Sequence, residues 1–255
     1  MLVRAKPSAS VLLLRNGHAG LEVLMVLRHG NIEFAGNALV FPGGKVDTAD
    51  RRLAFHKRNT PRLNTHIRGR INRIAVTREL FEETGVLIAR SARTRRFLSE
   101  SRRRRLAARW QKSVDRTAIS FDRFLAFENL VLSPQDLQPF ANWITPKQLP
   151  KRYDTHFYLA KLPRGQQPLH DGRELVASVW VSPKNVVEEA ARLGADLMFP
   201  TRMNLMRLAF ASSVEDAFRR ARTIPIVPVM PKLEKQNGQI IPVVPPHCGY
   251  PTDAT

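Results

Sequence analysis

Cysteine is almost absent, with Cys248 alone in 255 residues. One thiol excludes an intramolecular disulfide and fits a reducing compartment. It lies in a proline-rich tail without a catalytic motif around it, so a catalytic role is not expected. No apolar run reaches the ~20 residues of a membrane span, so no spanning helix and a cytoplasmic location are expected. Residues 1–14 (MLVRAKPSASVLLL) read as a first strand and not as a leader peptide. Aromatic residues make up 7%. No basic-and-aromatic binding module accompanies the charge, so sequence-specific nucleic-acid recognition is not favoured. Acidic residues are also few, 22 Asp and Glu against 41 Lys and Arg, for a net charge of +19.

The 43% apolar content is enough for a real core. The length suits one large domain, or one domain with appendages. The positive charge is concentrated: residues 51–116 hold twenty Lys or Arg against five Asp or Glu. Such a block attracts phosphates on a small substrate, a nucleic acid or a membrane, and it equally suits a solvated surface.

Alternating or continuous apolar runs place strands at residues 8–14, 21–28, 38–41, 140–144, 153–161 and 175–181, the first two joined by a turn over 16–20. Residues 34–37 read as a turn, 121–125 as helix or loop, and 130–132 as a short strand. Helical spacing appears from Ile71, with Ile74, Ala75, Leu80 and Phe81 toward a core and Glu79, Glu82 and Glu83 outward. Further helices are read at 102–112, 185–193, 201–211 (capped by Thr201) and 214–221. The arginines of 102–112 read mostly as solvated stems, and Trp110 as a packing residue. Residues 51–70 look like an inserted basic loop with a short helix near 51–58. From Thr223 onward the tail holds seven of the eighteen prolines, with a hairpin signal at Asn237-Gly238.

Two features carry chemistry. Residues 78–86 (RELFEETGV) place Glu79, Glu82 and Glu83 at i, i+3 and i+4, one face of a helix that Gly85 ends. Crowded carboxylates repel unless a cation joins them, and hard oxygen donors suit Mg²⁺ or Mn²⁺; a solvated helix face is the alternative. Upstream, Pro42-Gly43-Gly44 allows backbone amides to approach a phosphate. Asp154 and His156 share one strand face, the pattern of hydrogen-bonded structure more than of catalysis.

Gly44, five residues, Asp50 and then residues 78–86 together resemble the Nudix box. The second half matches at every specified position. The first half has Asp50 where glutamate is usual, and 27 residues separate it from Arg78 where the family has seven. GNALVFPGGKVD, PFANWITP, RYDTHFYLA and ELVASVWVSP are similar to the branch of acyl-CoA diphosphatases and their bacterial relatives.

The resemblance implies an α/β/α sandwich with a mixed sheet over residues 7–212. Inserted basic segments (51–70 and 91–120) and a C-terminal helix with Pro-rich tail (213–255) complete the chain. It implies divalent-metal-dependent hydrolysis of a diphosphate in a nucleoside diphosphate derivative, acyl-CoA or coenzyme A first. Capped RNA, ADP-ribose, or binding without catalysis are the alternatives. Glu79, Glu82 and Glu83 would hold Mg²⁺ or Mn²⁺, with Arg78 orienting Glu79 and Asp50 helping from behind. Gly43, Gly44, Lys45 and Arg28 would meet the anionic substrate. Glu174, ahead of a strand, is the distant acid that the family can use as general base.

Overall fold

The structure is a computed structural model and describes residues 3–18, 20–29, 37–56, 65–115, 119–168, 175–236 and 238–250. The expected turn at 34–37 lies largely outside these residues, as do much of the 51–70 segment and Glu174. In chain order the elements are β1 (Lys6–Gly17), β2 (Gly20–Arg28), β3 (Leu39–Val40), β4 (Gly43–Lys45), α1 (Thr48–Phe55), α2 (Ile67–Thr84), β5 (Ala89–Ser91), α3 (Glu100–Asp115), α4 (Phe121–Phe127) and β6 (Leu130–Leu132). There follow β7 (Leu137–Ile144), β8 (Tyr153–Lys161), β9 (Leu175–Val181), α5 (Val186–Arg192), α6 (Phe199–Leu208), α7 (Val214–Thr223), β10 (Pro228–Val229), β11 (Lys232–Gln236) and β12 (Gln239–Val243).

The main sheet is mixed, in the order β10-β7-β8-β1-β2-β3, with β4 added to β1 and β9 to β2. β1 is its axis. Its residues from Ser8 to Leu14 are buried on both faces, because alternate side chains point to opposite sides. Leu12 and Leu14 join Val23, Met25 and the residues of α6 and α7 on one face. Ala9, Val11 and Leu13 meet Leu24 and the α2 residues Ala75, Val76 and Leu80 on the other. Helices therefore cover both faces, the α/β/α sandwich.

α2 is buried nearly all round. Its second side presents Ile71, Ile74 and Phe81 to Leu53 of α1, Leu106 of α3 and Phe124 of α4. Phe81 and Phe124 stack at 5.0 Å between centroids, worth about 1 kcal/mol beyond the area they bury. Trp110 packs against Phe124 and Phe127 and donates its indole N–H to Glu128 at 2.7 Å.

Several expectations are corrected by tertiary contacts that periodicity does not see. The β1–β2 turn is tighter than 16–20, since Gly17 already pairs with Gly20. Thr201 does not cap its helix. α6 starts at Phe199 after Met198, with Pro200 in the first turn, and Thr201 is buried inside it. The insertion's helix begins early, at Thr48, under a capping box in which Asp47 accepts from Ala49 and Asp50 from the Asp47 N–H. Arg103 is not a solvated stem but fully buried.

The tail returns to the main body. β10 runs parallel to β7, pairing Pro228 with Asn142 and Val229 with Trp143. Beyond it β11 and β12 form a separate hairpin, and Tyr250 is buried, donating its hydroxyl to Asn204 at 2.8 Å.

Candidate active site

β1 pairs on the same edge with β4 through Ser8–Ser10 and with β2 from Leu14 to Gly17. The sheet forks there. Gly43 sits in the fork with φ +154, where a Cβ would lie 2.5 Å from the Ala9 carbonyl, so only glycine lets the two backbones approach this closely. The next residue, Gly44, faces α2: a Cβ there would stand 2.5 Å from the Glu79 carboxyl carbon. The Pro-Gly-Gly turn thus leaves room for the acids of α2 to reach the backbone.

Glu79, Glu82 and Glu83 all line a cleft of about 1030 Å³, together with Gly43, Gly44, Lys45 and Arg28. The expectation that the acids face solvent is corrected: Glu83 is buried, and Glu79 and Glu82 are only 16% and 12% exposed. Two of them share one cation, and the third takes a backbone amide. Glu83 accepts from the Gly43 N–H at 2.9 Å, Glu82 from Arg78 at 2.9 Å, and Glu79 lies 3.0 Å from the Arg78 guanidinium. Among the described residues no three His, Cys, Asp or Glu side chains are gathered at one point as a ready-made ligand set.

The donor chemistry nonetheless fits a hard divalent cation: three carboxylates on one helix turn, and a glycine that keeps space beside one of them. Electrostatics agrees. Burial pushes the Glu82 carboxyl up to about 8, against the pull of Arg78 and with the push of Glu79 and Asp50. Removal from water is the main reason this carboxyl resists ionising, and a cation beside it would offset that.

Arg78 stands behind the acids and does not line the cleft. Its Nε and Nη2 donate to the two oxygens of Asp50 at 3.0 and 2.9 Å, and Nη2 also to the Lys45 carbonyl at 3.0 Å. Burial acts to lower its pKa, but Glu79, Asp50 and Glu82 outweigh that and raise it. One cation therefore ties α1, β4 and α2 together. Asp50, 1% exposed, plays a full part in this despite its shorter side chain.

Two side chains of α3 fix the end of α2. Gln111 donates to the Glu82 carbonyl at 2.8 Å, and Arg103 to the Gly85 carbonyl at 3.3 Å. Gly85 itself adopts φ 65, the left-handed conformation that ends helices. A run of four arginines hides this contact, because burial of one among four leaves no mark on composition.

The cleft's floor was also missed by sequence reasoning. Ser8, Ser10, Thr155 and Phe157 line it, all on one face of the parallel β1–β8 pair, where Ser8 neighbours Thr155 and Ser10 neighbours Phe157. The strand alternation at 8–14 and 153–161 held this signal, but their pairing is not visible in either stretch. Asp154 and His156 face the other side. Asp154 is held by Arg68 and by Asn142, the latter at 2.8 Å, a structural network as the alternation suggests.

Residues 51–208 match the family model for the NUDT19 Nudix domain. The chain is 32% identical over 179 residues to a putative nudix hydrolase 7 of Caenorhabditis elegans, covering 66% of this chain and 49% of that protein. It is 27% identical over 246 residues to the acyl-coenzyme A diphosphatase NUDT19 of Gallus gallus, covering 78% and 64%. The chain thus spans about half to two thirds of the length of these relatives. A NUDIX hydrolase of Alicyclobacillus acidocaldarius has the same fold, with a TM-score of 0.68 at 22% identity over 89% of this chain and 100% of the other. The split box, its acids on α2 and the match over most of the chain have one conclusion: this protein belongs to the Nudix hydrolase family, in the branch of the NUDT19 Nudix domain.

Proposed function

We infer that this protein hydrolyses the diphosphate bond of a nucleoside diphosphate derivative with the help of a divalent metal ion, Mg²⁺ or Mn²⁺, and that coenzyme A or its thioesters are the substrates. The observation that carries the reading is the union of opposite charges in one cleft. Three carboxylates on α2 share its lining with Lys6, Arg28, Lys45 and Lys151. A diphosphate needs both, because its own negative charge repels an attacking water. Glu79, Glu82 and Glu83 would hold the ion, which supplies charge neutralisation and a more acidic bound water.

The remaining roles fall to the chain's own groups. Arg78 keeps Glu79 and Glu82 in place, and Gly43 and Gly44 let the backbone approach the ligand. Lys45 and Arg28 bind phosphate. Arg28 carries a buried Nε with no hydrogen-bond partner among the described residues, and burying such a donor is costly unless a ligand oxygen completes it. Glu174, outside the described residues, stays the proposed distant acid. The coenzyme A reading rests on the acyl-coenzyme A diphosphatase among the relatives and on a cleft near the upper end of ligand-pocket sizes.

The test is Glu82→Gln, assayed against coenzyme A, its thioesters, ADP-ribose and capped RNA with Mg²⁺ and Mn²⁺. Turnover should fall at least roughly a hundredfold, the upper end of what loss of even an outer metal partner costs, while the thermal midpoint stays level or rises. Full activity in the variant would remove Glu82 from the site. Turnover of capped RNA alone would overturn the substrate class.

A further inference from the structure

One wall of the cleft belongs neither to the box nor to the sandwich. Pro231, Leu233 and Pro242, from the C-terminal hairpin, line the same cleft as the acids of α2. Leu233 pairs directly with Pro242, and Lys235 with Ile240. Cross-strand partners, and residues two apart, share one face. The face turned to the cleft therefore carries Leu233 and Pro242 and continues to Ile240, which is 71% exposed and lies beside the methylene stem of Lys235. Leu149 and Pro150 add to this apolar side.

The hairpin is tied down at both ends to one residue of the floor. Before it, Val229 pairs with Trp143 in the sheet. After it, the Trp143 indole N–H donates to the Tyr250 hydroxyl at 3.0 Å, with the two rings edge to face at 5.0 Å. Trp143 itself lines the cleft. A strap anchored in this way holds its apolar face in position without packing into the core. Nothing in the cleavage of a diphosphate calls for such a wall, since the reacting groups are charged.

We propose that the hairpin is a binding subsite for an extended apolar chain carried by the substrate, with Leu233 as the residue that sets the preference for chain length. The proposal rests on the diphosphatase reading above and adds a direction to it: phosphates at the Gly43–Lys45 end, chain along Leu233 and Pro242 toward Ile240. An exposed apolar stripe continuous with a reactive cleft is the shape that a flexible hydrocarbon fills, each buried methylene adding to transition-state binding.

The experiment compares kcat/KM for coenzyme A, octanoyl-coenzyme A and palmitoyl-coenzyme A in the full chain. Wild type should prefer the thioesters. Leu233→Asp should lower the thioester-to-free ratio by roughly tenfold, the lower end of what one methylene is worth in an apolar pocket. Ile240→Asp should lower it for palmitoyl but not for octanoyl; its side chain is exposed, so folding is not at issue. Glu234→Ala, on the other hairpin face, should leave the ratio where it was. Equal ratios in wild type, Leu233→Asp and Ile240→Asp would overturn the subsite while the diphosphatase reading stands. No turnover of any coenzyme A species by wild type would overturn both readings, and turnover of ADP-ribose in that case would keep only the metal-dependent chemistry.

Discussion

Replacing Asp50 by glutamate restores the residue usual in the family, and here it should harm the protein. Asp50 accepts three hydrogen bonds: Asp47 N–H at 2.8 Å, Arg78 Nε at 3.0 Å and Arg78 Nη2 at 2.9 Å. At 1% exposure no open space surrounds it. A further methylene must displace Arg78 or lift α1, at the ~1–3 kcal/mol typical of overpacking. Asp50→Asn keeps the shape and one acceptor but removes the charge from beside Arg78, a loss of about 2 kcal/mol for charge-assisted bonds. Asp50→Ala removes all three bonds. Breaking a buried pair costs about 3–5 kcal/mol, and this case belongs at the lower end because Arg78 retains Glu79 and Glu82. The order of stability should be wild type, then Asn and Glu together, then Ala, read from urea midpoints at an unchanged slope. Activity should fall alongside, since Arg78 also steadies the two glutamates. A glutamate variant as stable and active as wild type would refute the reasoning, because α1 would then not be matched to the shorter side chain.

Other perturbations test separate parts. Arg103→Met should lower stability by about 2–4 kcal/mol, less than a fully buried pair because its partner Glu100 is 24% exposed; Arg104→Met, 60% exposed on the same glutamate, should cost under about 1 kcal/mol. Equal effects in thermal melts would mean that α3 does not anchor α2. His156 is held below its usual pKa by burial, with Asp154 opposing and Arg68 and Arg73 adding to the shift. Its folded state thus favours the neutral ring. The stability it contributes is present above the unfolded value of about 6.5 and is lost as pH falls below it. Wild type should lose stability between pH 7.5 and 5.5 that His156→Asn does not lose, as measured by urea denaturation at the two pH values. Parallel losses in both proteins would assign the effect elsewhere.

The sandwich was legible because β1 and β2 are apolar enough to be largely buried and are bounded by clear turns, and because helical spacing takes over at Ile71. The acids were legible for another reason: helix geometry alone brings i, i+3 and i+4 together. Pairing was not legible. That β8 lies parallel to β1, and so sets Thr155 beside Ser8, depends on contacts more than a hundred residues apart. The direction of the acids was misread for the same reason. A carboxylate on a helix is solvated by default, and only the fork between β2 and β4 turns this face into a cleft. The Pro-rich tail gave a hairpin signal but no hint of its place, since Trp143 and Tyr250 meet only when the chain has folded.

The split in the box and the Asp at its first half are best understood together. Lengthening a connection from seven to 27 residues costs only about 1 kcal/mol in closure entropy, so the insertion itself is a small burden. It brings α1, whose Leu53 and Ala54 are buried against α2 and its neighbours. Burying a leucine contributes about 2 kcal/mol, which already exceeds the closure term. With α1 seated on α2, the third residue of its first turn stands next to Arg78, and an aspartate reaches with both oxygens. The glutamate-to-aspartate change is then a consequence of where α1 sits and not a weakening of the site. Removing the packing alone, by Leu53→Ala, should loosen the same ion pair that Asp50→Ala breaks, so the two substitutions together should cost less than the sum of each.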